Sequence, residues 1–226
     1  MDTNSTPSSI IVRSYQPSDL PACQAIFTEA HLGYNSPMVH INFILQADMA
    51  DIEKNYLQIP GGHWWVAVST EDNRIVGQVA VLPMRLGDSS YYSEAPEEQR
   101  DQICELIRMG IKQDVQRQGV GKKLLSTLIN FARENGYRQI HLTTLTNMHK
   151  ANAFYQRNGF IKGPIVKKPL VDIPENVDDK TKFISNIPSS AIFEVGAIIP
   201  DEDQRLMKVP ISESKCAYIQ HYSLSI

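Results

Sequence analysis

The chain has 226 residues, of which 42% are hydrophobic, 21% charged and 8% aromatic, a balance that supplies a sizeable apolar core and excludes a disordered, collagenous or coiled-coil protein. A formal charge of -3 argues against a nucleic-acid partner, which needs a clustered basic excess. Cys23, Cys104 and Cys216 are odd in number and far apart, so neither a disulfide framework nor a Cys-x-x-Cys metal pair is expected; no metal is assigned, and a reducing compartment, cytoplasmic or nuclear, fits.

The first ten residues lack the basic-then-apolar pattern of a leader, and no apolar run approaches the ~20 residues of a membrane span, so no membrane partner is expected. Residues 10–15 are a β-branched run and read as a strand. Pro17, Ser18 and Asp19 signal a helix start, with Leu20, Cys23, Ile26, Phe27 and Ala30 at helical spacing and Gly33 as the stop. A second helical stripe takes in Met38, Ile41, Ile44, Leu45, Met49, Ile52 and Tyr56 and ends at Pro60-Gly61-Gly62. Residues 63–69 and 75–83 flank the polar tetrapeptide 71–74 as an antiparallel hairpin. Trp64 and Trp65 in its first arm point to opposite faces, which makes at least one of them core and leaves the other to border a cleft.

An acidic loop covers 87–101. Residues 105–112 read as another strand, whose interior Gly110 suggests a bulge or a ligand close to the backbone. After the turn at Gly119-Val120-Gly121, the positions Val120, Leu124, Leu125, Leu128, Ile129 and Ala132 form an apolar helical face that ends at Gly136. A strand over 139–145, a helix over 149–158 and Gly159-Phe160 complete the unit. No proline lies between Pro96 and Pro164, whereas six of the 13 fall from Pro164 to Pro210. The stretch 167–215, with one strand-like piece at 191–199, therefore reads as an insertion before a final strand at 216–226.

The most informative string is Gln116-Arg117-Gln118-Gly119-Val120-Gly121, set between a strand and an amphipathic helix. Glycines there let the backbone turn tightly, so that several N–H groups and the positive end of the helix dipole converge on one spot, an anion site suited to phosphate; Lys122 and Lys123 add charge. Two better-known phosphate loops fail on the same residues. A Walker A loop needs glycine at Gln116 and Ser or Thr at Lys123, and the dinucleotide fingerprint lacks its third glycine because Leu124 stands there. A phosphotransferase or dinucleotide enzyme is disfavoured accordingly.

Gln116 to Gly121 resembles the Q/R-x-x-G-x-G/A acetyl-CoA loop of the GNAT N-acetyltransferase superfamily. The element order from about residue 10 to 165 is similar to that family, and the second half is most similar in character to its eukaryotic camello-like members, without the membrane anchor those commonly carry. The resemblance implies an α/β fold: a mixed, mostly antiparallel seven-stranded sheet flanked by helices, open between its fourth and fifth strands, with the insertion before the last strand. It implies acetyl-CoA as cosubstrate and direct transfer to a primary amine in a ternary complex, in a single domain spanning 1–226, with a homodimer left open.

Residue by residue, the resemblance puts the pyrophosphate on the amides of Arg117, Gln118, Gly119, Val120, Gly121 and Lys122, with Gln116 opening the loop. Met109, Gly110 and Ile111 match the strand that pairs with pantetheine, an N–H near Ile111 polarising the thioester carbonyl. Tyr155 keeps the family's Y-x-x-x-G-F spacing with Gly159 and Phe160 and takes the role of acid to the departing thiolate; a packed core tyrosine is the alternative. Glu105 lies where several members place a carboxylate base, against the alternative of a solvated strand-end charge. Met148 occupies the place where the family often has Asn, and Asn147 stands one residue earlier. His141 and His149 read as structural, and Cys104 as packing.

A noncatalytic acyl-CoA-binding regulatory or scaffold protein would keep this loop but has no need of Tyr155. The near-neutral total hides a partition: residues 104–168 hold 12 basic and 3 acidic side chains, net +9, and the remainder holds 10 basic and 22 acidic, net -12. A basic module suits a polyanionic cosubstrate, an acidic remainder suits a cationic acceptor, and the 167–215 insertion is expected to form a lid on the acceptor site.

Overall fold

A computed structural model describes residues 10–36, 38–84, 101–169, 197–199 and 216–226. Along the chain these form β1 (Ile10–Ser14), α1 (Leu20–Leu32), α2 (Met38–Gln46), β2 (His63–Ser69), β3 (Ile75–Pro83), β4 (Ile103–Ile111), α3 (Val120–Glu134), β5 (Gln139–Leu145), α4 (His149–Arg157), β6 (Ile161–Pro169), β7 (Ala197–Ile199) and β8 (Cys216–Ser225). One sheet takes them in the order β1-β2-β3-β4-β5-β8-β6-β7. Every neighbouring pair is antiparallel except β4 with β5.

Strand alternation divides the core between the two faces of the sheet. Trp64, Val66, Val68 and Ala80 pack with Cys23, Ile26 and Phe27 of α1 and Ile41 of α2. Trp65, Ala67, Val79, Val81, Leu106, Ile140 and Leu142 pack on the other face against Leu124, Leu125 and Leu128 of α3 and Tyr155 of α4. Because helices cover both faces, β2 and β3 read as continuous apolar runs. Both tryptophans are core: Trp64 is fully buried, and Trp65 packs edge-on against Phe131 with ring centroids 5.0 Å apart.

The sheet opens between its fourth and fifth strands. β4 and β5 pair only at Ile103 with Gln139, Cys104 with Ile140 and Glu105 with His141, although they continue to Ile111 and Leu145. On its other side, the register of β4 with β3 shifts between Gln78 and Ala80, and Arg108 in that stretch has φ 54°. An extra residue in β4 bends the strand, and the bend follows directly on the last β4–β5 pair.

Three expectations change. The stripe from Met38 to Tyr56 is two elements: α2 stops at Gln46, and a π-helical turn over Glu53–Leu57 follows. There the Asp51 carboxylate accepts from the Lys54 N–H at 2.9 Å, while Met49, Ile52 and Tyr56 still bury their side chains. The described strands number eight, because the insertion contributes the three-residue edge strand β7; of the strand-like piece at 191–199 only Ala197–Ile199 falls within the described residues. Strand β6 hides in a Gly-, Pro- and Lys-rich sequence and overlaps the start of the insertion. The acidic stretch 87–100 lies outside the described residues.

Candidate functional site

The strand-to-helix loop is built from two left-handed residues, Arg117 at φ 66° and Gly119 at φ 83°, the latter capping α3. The first amide of the helix to find a backbone acceptor is that of Lys123, which donates to the Gly119 carbonyl at 3.0 Å. The six N–H groups of Arg117, Gln118, Gly119, Val120, Gly121 and Lys122 donate to no acceptor among the described residues. Six adjacent donors at the positive end of a 15-residue helix are a cradle for a polyanion. A methyl group at Gly121 would lie 2.8 Å from Ile111 Cδ1 and 3.1 Å from Phe154 Cε2, so this glycine lets α3 begin directly against β4 and α4. Gln116 Oε1 accepts from Lys150 Nζ at 3.3 Å, tying the loop to the start of α4. Lys122 is exposed at the cradle, whereas Lys123 turns away and donates to the Ile10 carbonyl at 2.8 Å.

Tyr155 on α4 is buried, and its hydroxyl donates to Met109 Sδ at 3.7 Å. Burial, with a smaller push from Tyr222, raises its phenol well above the ordinary range, so it is protonated at neutral pH. Gly110, next to Met109, has no room for a side chain: a methyl would meet Ile26 Cγ2 of α1 at 2.9 Å. The space this glycine leaves is filled by α1, and the bulge sits at Arg108 rather than at Gly110.

Glu105 is buried, only 4% exposed, which removes the solvated-charge reading. Its neighbours Cys104 and Leu106 pack on the α3 side, so its carboxyl projects to the α1 side, with Oε1 3.9 Å from His141 Nδ1. Cys104 is wholly buried with its thiol pushed up to about 12 by burial, as packing requires. Asn147 donates to the Tyr34 carbonyl at 3.3 Å, while its Oδ1 is buried with no hydrogen-bond partner among the described residues. That orphaned acceptor is what a pantetheine amide N–H would satisfy. His149 lies exposed at the start of α4.

Four features were not singled out from the sequence. His141 Nε2 lies 3.1 Å from His221 Nδ1 of β8, both rings buried. Arg108 pairs with Asp48 at 2.8 Å, Tyr56 donates to the same carboxylate, and the guanidinium lies 5.6 Å over the Phe27 ring. Asn152 donates to the Leu145 and Met148 carbonyls at 3.0 and 2.9 Å and accepts from Tyr222 at 2.9 Å, fixing α4 against β5 and β8. Gln78, wholly buried and opposite Gly110, has neither amide atom hydrogen-bonded among the described residues. The sequence signal for these is no more than polar residues inside strand-like or helical runs.

Among the described residues no group of three or more His, Cys, Asp and Glu could hold a metal, and no helix is long and apolar enough to cross a membrane.

Residues 26–160 match the model of the acetyltransferase (GNAT) family. The chain is 35% identical over 123 residues to human N-acetyltransferase 8, covering 54% of this chain and 49% of that one. It is 32% identical over 158 residues to the Mus musculus N-acetyltransferase 8, covering 69% and 63%. It thus spans about half the length of human N-acetyltransferase 8. An N-acetyltransferase structure from Staphylococcus aureus Mu50 superposes with TM-score 0.59 at 14% identity, over 96% of this chain and 99% of that one. An acetyltransferase structure from Salmonella typhimurium, solved with its cofactor acetyl-CoA, gives TM-score 0.55 at 15% identity over 96% and 94%. With a family model covering more than half the chain and a shared open-sheet fold, the chain belongs to the GNAT acetyltransferase family.

Proposed function

We propose that the chain is an N-acetyltransferase that moves the acetyl group of acetyl-CoA directly to a primary amine. The observation that carries this reading is the run of six undonated N–H groups from Arg117 to Lys122, beside the Tyr155–Met109 contact. A diphosphate on that cradle directs its thioester arm along β4, toward the opening between β4 and β5. The Asn147 Oδ1 acceptor and the backbone of Met109, Gly110 and Ile111 hold the arm.

The chemistry follows from what each group can exchange. Glu105 takes a proton from the acceptor ammonium, freeing the nitrogen lone pair to attack the thioester carbonyl carbon. The N–H near Ile111 faces the oxygen on which charge develops, a contribution of ~3 kcal/mol in comparable sites. The carbon–sulfur bond breaks with its electron pair on sulfur, and Tyr155 supplies the proton that makes the free thiol. The second proton shed by the amine nitrogen restores the phenol. Glu105 and Tyr155 project to opposite faces of the sheet, so acceptor and leaving group meet across the opening.

Of the 167–215 segment only residues 167–169 and 197–199 are described, and its proposed role is to set acceptor preference. Its attachment supports that: β6 ends and β8 begins side by side, Pro169 pairing with Cys216. Ile219 of β8 pairs with Leu145, at the end of β5 that lies past the last β4–β5 pair. Two measurements test the function: calorimetric titration with acetyl-CoA, expected to show one site, and CoA thiol release across a panel of spermidine, an amino-acid conjugate, a dipeptide N-terminus and a lysine peptide. Acetyl-CoA binding without thiol release for any amine favours a noncatalytic acyl-CoA-binding protein, and absence of binding removes both readings.

A further inference from the structure

Glu105, His141 and His221 make a row across three adjacent strands, β4, β5 and β8, on the α1 side of the sheet. The separations are 3.9 Å from Glu105 Oε1 to His141 Nδ1 and 3.1 Å from His141 Nε2 to His221 Nδ1. All three side chains are buried, His141 fully and His221 at 2% exposure. Glu105 and His141 are also the last residues at which β4 and β5 pair, which puts the head of the row where the sheet opens.

We propose that His141 and His221 are positioning residues for Glu105, a pair whose coupled tautomers support the carboxyl group both before and after it takes the acceptor's proton. The proposal rests on Glu105 as the base. A neutral imidazole donates from one nitrogen and accepts at the other. With Glu105 ionised, His221 Nδ1–H donates to His141 Nε2, and His141 Nδ1–H faces the carboxylate. With Glu105 protonated, its O–H faces a bare His141 Nδ1, and His141 Nε2–H donates to His221 Nδ1. Once Glu105 holds the acceptor's proton, His141 releases Nδ1–H to water and takes the His221 Nδ1 proton at Nε2, while His221 takes one proton from water at Nε2. Water gains one proton and loses one, both rings end neutral, and the His141–His221 hydrogen bond is made in each state.

Neutrality of the pair is what its surroundings favour. Burial, then His221, lowers His141 to about 3, so the contact with Glu105 is no salt bridge. Other titratable groups on the α1 side include Arg108 of β4, paired with Asp48 and Tyr56, His31 of α1, itself lowered to about 4 by burial and then by Arg108, Tyr15 and Cys23, both pushed up chiefly by burial, and His40 of α2, lowered by burial. Arg108 is three residues beyond Glu105 and already neutralised by Asp48. Opposite Glu105 on β3 stands Leu82, which carries no charge.

The test is the pH dependence of kcat/KM for Glu105→Gln, His141→Gln and His221→Asn, with the fastest amine of the panel as acceptor and acetyl-CoA affinity measured alongside. Expected are a flattened acidic limb in Glu105→Gln, and in both histidine variants a displaced limb with kcat down about tenfold at unchanged acetyl-CoA affinity. If Glu105→Gln retains the parent profile, the base reading fails and the proposal with it. If only the histidine variants retain it, the base stands and the proposal is overturned. Should a histidine variant not fold, nitrogen-15 NMR of histidine-labelled parent enzyme decides: the two rings must change tautomer together across the acidic limb, and fixed tautomers overturn the proposal.

Discussion

The Tyr155 hydroxyl donates to the Met109 sulfur at 3.7 Å, joining α4 to the strand that flanks the opening of the sheet. A thioether is a weak acceptor, so the contact holds the phenol in place yet yields readily to a thiolate, a far better one. Tyr155→Phe keeps the ring contacts with Phe160 and Tyr222, centroids at 5.5 and 6.0 Å. Turnover is therefore expected to fall by about 10²-fold with acetyl-CoA affinity within about twofold, read by steady-state kinetics and calorimetry. Equal turnover returns Tyr155 to the core.

The two loop glycines fail for different reasons. Gly119 has open space around it but sits at φ 83°, so Gly119→Ala costs ~1–2 kcal/mol of backbone strain and loosens the cradle. Gly121 has ordinary backbone freedom but no room, and Gly121→Ala pushes α3 off Ile111 at ~1–3 kcal/mol. Both are expected to weaken acetyl-CoA binding about tenfold. Gly119→Asn, which tolerates the left-handed region, recovers most of the loss; Gly121→Asn recovers none.

Legibility in the sequence followed the range of each interaction. The glycine loop, the α3 face and the Tyr155-to-Phe160 spacing are local, and the chain spells them out. Gly110 suggests a bulge or a ligand close to the backbone, but the bulge lies two residues earlier, at Arg108, and Gly110 is needed for the approach of Ile26 from α1. The row from Glu105 to His221 joins residues that become neighbours only when β8 inserts between β5 and β6. Strand β6 is masked in the sequence by Gly163 and Pro164, which fall within it: the Gln220 amide donates to the Gly163 carbonyl at 2.8 Å across a register shift.

Gly110 and Ile26 form a size-complementary pair. Gly110→Ala places a methyl 2.9 Å from Ile26 Cγ2 and is expected to cost ~1–3 kcal/mol of overpacking. Ile26→Val, which trims Cδ1 and leaves Cγ2, does not relieve it, whereas Ile26→Ala removes the clashing atom. A double-mutant cycle by urea unfolding should give Gly110→Ala a smaller cost in the Ile26→Ala background; additive costs mean that β4 itself resists the substitution.

Gln78 is fully buried against Gly110 with both amide atoms unsatisfied among the described residues. A polar group stranded in this way lowers stability by ~1–3 kcal/mol, a cost justified if ligand binding supplies its partner. Gln78→Leu is therefore expected to raise stability by about 1–2 kcal/mol while lowering kcat/KM about tenfold. A stabilised variant at full activity makes the residue a packing defect.

Stability is expected to fall on acidification before the carboxylates titrate. His31 and His141 are lowered to about 4 and about 3, chiefly by burial, whereas in the unfolded chain they titrate near 6.5. The unfolded state therefore binds more protons below pH 6.5. The stability contributed by burying the neutral rings is complete above that value and is lost as pH falls toward the folded values. Each ring contributes a slope of at most ~1.4 kcal/mol per pH unit. Urea midpoints taken from pH 7 to 4.5 should drop steadily in the parent protein and less steeply in His31→Gln and in His141→Gln, each of which removes one such titration; His40 and His63, also lowered by burial, remain. A parent-like slope in both variants would place the protons taken up on unfolding elsewhere in the chain.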